Sequence, residues 1–141
     1  MPSKKVLGRK REILVDTMGN LLRALVHPAD WTDNESGIAL LATIIGLFPR
    51  LLKLWVDQGY KTAFVEWAEQ QVGCTVEVVG KVAGQIGFAV EPRRWVVERS
   101  FAWEGRCRRL SKDYEYWEEN SAAFLYLASI QRLLKHVAVA A

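Results

Sequence analysis

Residues 12–26 read EILVDTMGNLLRALV. Two apolar runs, Glu12–Thr17 and Leu21–Val26, flank Gly19-Asn20, a dipeptide that favours the positive backbone angles of a tight turn. The stretch predicts a β-hairpin. Pro28, two residues beyond the second run, lacks the N–H that a ladder needs and predicts its end.

Working outward, Asp33 or Asn34 can cap a helix in which Ile38, Leu41, Ala42 and Ile45 recur at helical spacing as far as about Phe48. Leu51–Val56 reads as a buried strand that ends at Asp57. Lys61–Val72 is amphipathic, with Phe64, Val65, Ala68 and Val72 on one side and Gly73 as its stop. Thr75–Val79 is a short strand rich in β-branched residues. Residues 80–92 are glycine-rich and read as a loop. Helices are expected over Arg94–Leu110 and over Ser121–Val137, the last with Phe124, Leu127, Ala128 and Leu134 facing inward. The order β-β-α-β-α-β-α-α predicts one mixed α/β domain over residues 1–141.

Half of the 141 residues are hydrophobic and a quarter are charged, which favours a packed core over a disordered tail. The six tryptophans read first as core filling. The net charge of +3 is modest, but its distribution is uneven. Lys4, Lys5, Arg9, Lys10 and Arg11 form one basic cluster; Arg93, Arg94, Arg99, Arg106, Arg108, Arg109 and Lys112 form another. Two such clusters fit phosphate contacts better than a uniformly solvated surface does, with ordinary surface charges as the alternative reading. Cys74 and Cys107 have neither metal-ligand spacing nor a disulfide framework and read as reduced thiols. The longest apolar run, Gly37–Phe48, is shorter than the ~20 residues that span a bilayer. No signal peptide is visible, so a cytoplasmic protein is expected.

Among the acids, Asp57 stands at the end of an apolar strand and before a Gly59-Tyr60 turn. Glu98 lies on the third helix among arginines, with Arg94 one turn before it. Carboxylates gathered from strand ends and a helix make an all-oxygen site of the kind Mg²⁺ prefers, and two such ions can clamp both oxygens of a phosphoryl transfer. A turn cap at Asp57 and a salt bridge at Glu98 explain the same residues. Other chemistries lack their motifs. No serine sits in GxSxG and no GxxxxGK[ST] loop exists. Gly80, Gly84 and Gly87 miss the dinucleotide fingerprint, and His27, beside Pro28, reads as structural.

The segments KKVLGRKREILVDTMGNLLRALVHPADWTD, LWVDQGY and EPRRWVVERSFAWEGRCRRLSKDYEYWEENSAAFLYLASI together resemble bacterial insertion-sequence transposases of the DDE class, from about Lys4 to Leu134. The resemblance implies a ribonuclease H-like mixed sheet with flanking helices, and metal-dependent cleavage and strand transfer at transposon ends. Two Mg²⁺ or Mn²⁺ ions would be held by Asp, Asp and Glu. Carried over, the second Asp is Asp57 and the Glu is Glu98, with Arg94 as the arginine one turn before it. Related groups carry a Tyr before that arginine and a Lys after the Glu. Here Glu91 and Gly105 stand there, with Arg106 the nearest basic residue. The implied partners are double-stranded DNA at transposon ends and targets, contacted by Arg9, Lys10, Arg11, Arg93, Arg94, Arg99, Arg106 and Arg108. A second transposase copy or a complementing N-terminal fragment is a further implied partner, and nucleoid association in the cytoplasm is the implied location.

Family members carry the first Asp on the first, central strand, upstream of the basic segment where this sequence begins. The expectation is therefore an incomplete domain with that strand and acid absent, inactive alone and marginally stable. Asp16 is not a replacement, because the resemblance puts it on the second strand. The strand pairs would either leave a gap or close it by pairing Glu12–Thr17 with Leu51–Val56. Two other readings stay open: a non-catalytic DNA-binding or assembly remnant, and an unrelated basic α/β nuclease.

Overall fold

The structure is a computed structural model and describes residues 8–80, 99–103, 110 and 115–140. Strands β1 (Arg9–Val15) and β2 (Leu21–Pro28) form the expected antiparallel hairpin. Gly19 takes φ +85° at its turn, where a side chain would be strained. The ladder runs through Pro28, which faces Arg9. The bonded pairs are set by Ala29 N–H donating to Gly8 O, 2.9 Å. Residues facing each other in an antiparallel pair alternate between bonded and non-bonded, so Pro28 falls on a non-bonded pair and its missing N–H costs the hairpin nothing.

Helix α1 (Asp33–Ala42) is capped one residue earlier than expected. Thr32 Oγ1 accepts from Glu35 N–H at 3.3 Å while the Glu35 carboxylate accepts from Thr32 N–H at 2.7 Å, a reciprocal capping box. The helix also stops short of Phe48. Thr43 Oγ1 donates to Leu40 O at 2.6 Å and opens a β-branched run, Thr43-Ile44-Ile45, that favours leaving the helix. Strand β3 (Lys53–Val56), helix α2 (Thr62–Gln71) and strand β4 (Thr75–Val78) follow as a parallel β-α-β unit, with Lys53 opposite Thr75 and Val56 opposite Val78. Residues 99–103 are helical. Most of the helix expected over Arg94–Leu110, and all but Gly80 of the glycine-rich loop, lie outside the described residues.

Helix α3 (Glu118–Ala140) is longer than expected at both ends, and Glu118 and Glu119 complement the positive end of its dipole. Its inward face is only partly the expected one: Phe124 and Ala128 pack toward the hairpin cluster as expected. Ser121, Leu125 and Ser129 are buried, whereas Leu127 and Leu134 are exposed. Small residues on the buried line let the helix backbone approach the hairpin more closely than leucines would.

The hairpin is sandwiched because its side chains alternate between two faces. Leu14, Leu22 and Leu25 join Leu40, Leu41, Ile44, Leu54, Phe64 and Ala68 on the α1–α2 side, and Ile13, Leu21, Ala24 and Val26 join Leu125 and Leu110 on the α3 side. Tyr126 Oη accepts from Ala24 N–H at 2.7 Å, covering part of the outer edge of β2. His27 is buried, stacks on Trp31 at 5.3 Å, and sets both ring nitrogens against oxygens: Pro28 O at 2.8 Å and Glu12 Oε2 at 3.2 Å. That is the structural role expected of it.

Among the described residues, the two strand pairs remain separate two-stranded sheets. The direct pairing of Glu12–Thr17 with Leu51–Val56 does not occur. Between β1 and β3 lies a cleft of about 1140 Å³, with Leu40, Leu41 and Phe64 among its lining residues and Asp16 and Asp57 on its wall. Among the described residues, no helix is long and apolar enough to cross a membrane.

Candidate nucleic-acid and metal site

Asp57 follows β3 directly, at the C-terminal end of the strand, where the chain leaves the sheet toward α2. Its Oδ1 accepts from Gly59 N–H at 2.9 Å and its carbonyl accepts from Tyr60 N–H at 3.3 Å, so the DQGY segment folds back as a tight turn. This is the turn-capping role weighed for it. Oδ2 takes no hydrogen bond among the described residues, and the side chain is exposed, so one carboxylate oxygen is available to a cation.

Tyr60 reaches from this turn to the hairpin, where its hydroxyl donates to Glu12 Oε1. Burial pushes the Tyr60 phenol well above its ordinary range, and the negative charges of Glu12, Asp33 and Asp57 around it push the same way. The turn also leans on the start of α1. Asn34 Oδ1 accepts from Lys61 N–H at 2.8 Å, and a Cβ built on Gly59 would press on the Asp33 carboxylate and lie 3.1 Å from Asp57 Oδ1. Any side chain there would make the Asp33 carboxylate swing aside. Asp33 also faces Lys10 Nζ at 3.9 Å. The tertiary fold thus brings Asp33 and Glu12 to the Asp57 turn, which sequence reading had missed. The available signal was Gly59, read only as a loop residue although it marks a close approach.

The other sequence-nominated residues are placed as follows. Asp16 follows β1 directly and spends both oxygens on the hairpin turn: Oδ1 accepts from the N–H groups of Met18 and Asn20, each at 2.9 Å, and Oδ2 from Asn20 Nδ2 at 3.0 Å. It lies four residues from Glu12 along an extended strand, about 13 Å, so it does not join the group around Tyr60. Arg9 donates to the carbonyls of Glu115 (2.9 Å) and Tyr116, and Arg11 to that of Leu110 at 2.9 Å. Both tie β1 to the chain leading into α3. Arg99 donates to Met18 O at 2.8 Å and lies 4.6 Å from the centre of the Trp103 ring, which Arg132 also approaches at 4.2 Å. Each of these arginines spends donors on holding the fold, and a guanidinium has five to distribute. Glu98, Arg93, Arg94, Arg106 and Arg108 lie outside the described residues.

Among the described residues, no three His, Cys, Asp or Glu side chains are grouped closely enough to hold a metal ion. The oxygen donors at the Asp57 turn are the right chemical type for Mg²⁺ or Mn²⁺, and Asp57 offers an exposed oxygen with no hydrogen bond among the described residues.

The model of the transposase DDE domain family matches residues 2–131. No curated protein and no solved structure matches the chain. The match takes in the hairpin, the Asp57 turn and more than half of α3 as one continuous unit, and the chain belongs to the transposase DDE domain family.

Proposed function

We propose that this chain is a ribonuclease H-like DDE transposase domain in which Asp57 and Glu98 are ligands of divalent metal at the site of DNA cleavage and strand transfer. The observation that carries the reading is the position of Asp57. In a chain of this family, it stands at the end of a parallel strand with a free, exposed carboxylate oxygen. Bound Mg²⁺ or Mn²⁺ would activate the attacking oxygen and neutralise charge on the scissile phosphate. The chain's own contribution is to fix Asp57 by its turn and to bring positive charge to the DNA through Arg93, Arg94, Arg106 and Arg108, together with Arg9, Lys10, Arg11 and Arg99.

The separation of the strand pairs supports the same fold reading. A ribonuclease H-like sheet has its central strand between the two strands that here flank the cleft. We further propose that the chain by itself does not catalyse strand transfer. Family members use three acids, and Asp16, which could have served as a third, has both oxygens committed to the hairpin turn.

Two measurements test this. Mn²⁺ binding, followed by calorimetry or by the metal's electron spin signal, is expected for the wild type and lost in both Asp57→Asn and Glu98→Gln. Unchanged binding in either variant removes that residue from the site. Duplex DNA binding is expected to fall steeply with salt as counterions are released, and Arg93→Ala with Arg94→Ala should weaken it for all sequences alike. Affinity that is flat in salt would count against DNA as the partner. Metal-dependent cleavage of transposon ends by this chain alone, abolished by Asp16→Ala, would overturn the assignment of Asp16 to the turn.

A further inference from the structure

The two strand pairs share no ladder among the described residues, yet a line of hydrogen bonds runs from one to the other and ends at Asp57. It starts on β2. One ring nitrogen of the buried His27 lies 2.8 Å from Pro28 O, and the other lies 3.2 Å from Glu12 Oε2. The second Glu12 oxygen, Oε1, accepts from the Tyr60 hydroxyl. Tyr60 N–H in turn donates to Asp57 O at 3.3 Å. A carboxylate held by one oxygen can still swivel about its bond. Glu12 is held by both, so the point at which it receives Tyr60 is fixed.

Tyr60 is fixed along its length as well. Its ring lies against Phe64 of α2, with centroids 4.8 Å apart. It also lies over Gly37 of α1, where a Cβ would come within 2.6 Å of the ring. One side chain therefore touches β1, α1 and α2 while its backbone closes the turn that carries Asp57. The turn's own two hydrogen bonds, from the Gly59 and Tyr60 N–H groups to Asp57, set Asp57 relative to Tyr60 and not relative to the rest of the domain. Strand β3 places the near end of the turn, and Tyr60 places the far end.

We infer that Tyr60 and Glu12 are positioning residues for Asp57, a strut that holds its carboxylate at the end of β3 before any metal ion binds. The inference rests on the reading of Asp57 as a metal ligand. An apolar pair at positions 12 and 60 would join the two layers without taking a carboxylate out of water, but apolar contact is non-directional and tolerates sliding. Hydrogen bonds to both oxygens of Glu12 fix distance and angle, and a ligand held in place beforehand loses less freedom on binding. Removing a group that orients a metal ligand typically weakens metal binding about 10–100-fold. Tyr60 acts on Asp57 through the backbone, so a loss at the low end, about tenfold, is expected.

The experiment compares four variants of the full chain: Tyr60→Phe, Glu12→Ala, Glu12→Gln and Leu125→Ala, each shown to be folded by circular dichroism. In the metal-free protein the heteronuclear NOE of the Gly59 amide reports fast motion of the turn. It should fall in Tyr60→Phe and Glu12→Ala. It should return in Glu12→Gln, whose amide oxygen still accepts from Tyr60 and whose NH₂ can donate to His27. Mn²⁺ affinity by calorimetry should follow the same pattern, about tenfold weaker in the first two variants and recovered in the third. Leu125→Ala destabilises the fold from the other side of the hairpin and should leave both readouts unchanged. Undiminished order at Gly59 in Tyr60→Phe and Glu12→Ala overturns the proposal whether or not Mn²⁺ binds. So do equal losses in Tyr60→Phe and Leu125→Ala, which would mean a general loss of stability, and equal losses in Glu12→Gln and Glu12→Ala. A wild type that binds no Mn²⁺ removes the metal reading of Asp57, and the Gly59 signal then decides the strut by itself.

Discussion

The two faces of the β1–β2 hairpin are covered by different means. On the α1–α2 side, Leu14 meets Leu41, Ile44, Leu54 and Phe64, large side chains that are almost wholly removed from water. On the α3 side the buried residues are smaller: Ala24, Val26, Ser121 and Ser129, with Leu125 the one large side chain that the helix buries fully. Polar anchors make up the contact there. Tyr126 binds the Ala24 backbone, Ser100 Oγ donates to Gly19 O at 2.8 Å, and Arg132 reaches Gly19 O at 3.2 Å. The first face is held by apolar area, at about 25 cal/mol per Å². The second is held by close approach and directed hydrogen bonds, each contributing about 1 kcal/mol net. The comparison shows how one ribbon can carry a rigid α/β layer on one side and a long, partly uncovered helix on the other.

The sharpest way to break that comparison is to remove the largest fully buried side chain on each face. Phe64→Ala should cost roughly 3–5 kcal/mol, and Leu125→Ala an amount toward the lower end of the roughly 2–5 kcal/mol typical of leucine, both measured by urea unfolding. A larger loss at Leu125 would mean that the α3 contact is the more aliphatic of the two. A second, separate transition in the Leu125→Ala melt would mean that the helix folds independently of the α1–α2 layer.

A smaller effect is expected where the Asp57 turn touches the hairpin. Tyr60→Phe removes the hydroxyl that donates to Glu12 and leaves a partly buried carboxylate one partner short, at about 1–3 kcal/mol. The pH dependence gives an independent readout. Burial, and then the neighbouring carboxylates, raise the Tyr60 phenol above its ordinary value of 10.0. The folded state therefore holds this proton more tightly than the unfolded chain does. Stability is undiminished below pH 10 and falls as pH rises beyond it, with a limiting slope of about 1.4 kcal/mol per pH unit. Unfolding measured from neutral to alkaline pH should show this fall in the wild type and less of it in Tyr60→Phe. Identical profiles would place Tyr60 in water.

The smallest effect is local to the α1–α2 face. Thr32→Ala removes one half of the capping box at the start of α1 and should cost about 1 kcal/mol, read in the same urea experiment. No change would mean that Asp33 or Asn34 takes over the cap, as the sequence had suggested.

Much of the architecture was legible before the structure. Gly19-Asn20 between two apolar runs specified the hairpin. The three- and four-residue spacing of Phe64, Val65, Ala68 and Val72 specified α2, whose observed ends lie within one residue of those expected. Asp57 was singled out by its place after an apolar run, and it does stand at a strand end. The errors have a common origin. Thr32 was passed over as a cap because three polar residues in a row can each cap, and only the position of Glu35 decides among them. Leu127 and Leu134 were turned inward because hydrophobicity alone favours them over Ser121 and Ser129.

The sequence by itself determined the kinds of elements, their order and the family, because those follow from local periodicity, turn chemistry and long matching motifs. Only the tertiary structure decided which face of α3 lies on the hairpin, that Asp33 and Glu12 join Asp57 around Tyr60, and that the two strand pairs stay apart. Each of these depends on contacts between residues distant in the chain. A periodic pattern states that a helix has an apolar face, but when it has two, the shape of the surface it meets selects between them. Strand propensity likewise states that β1 and β3 are extended, but whether their edges meet is decided by contacts between residues distant in the chain.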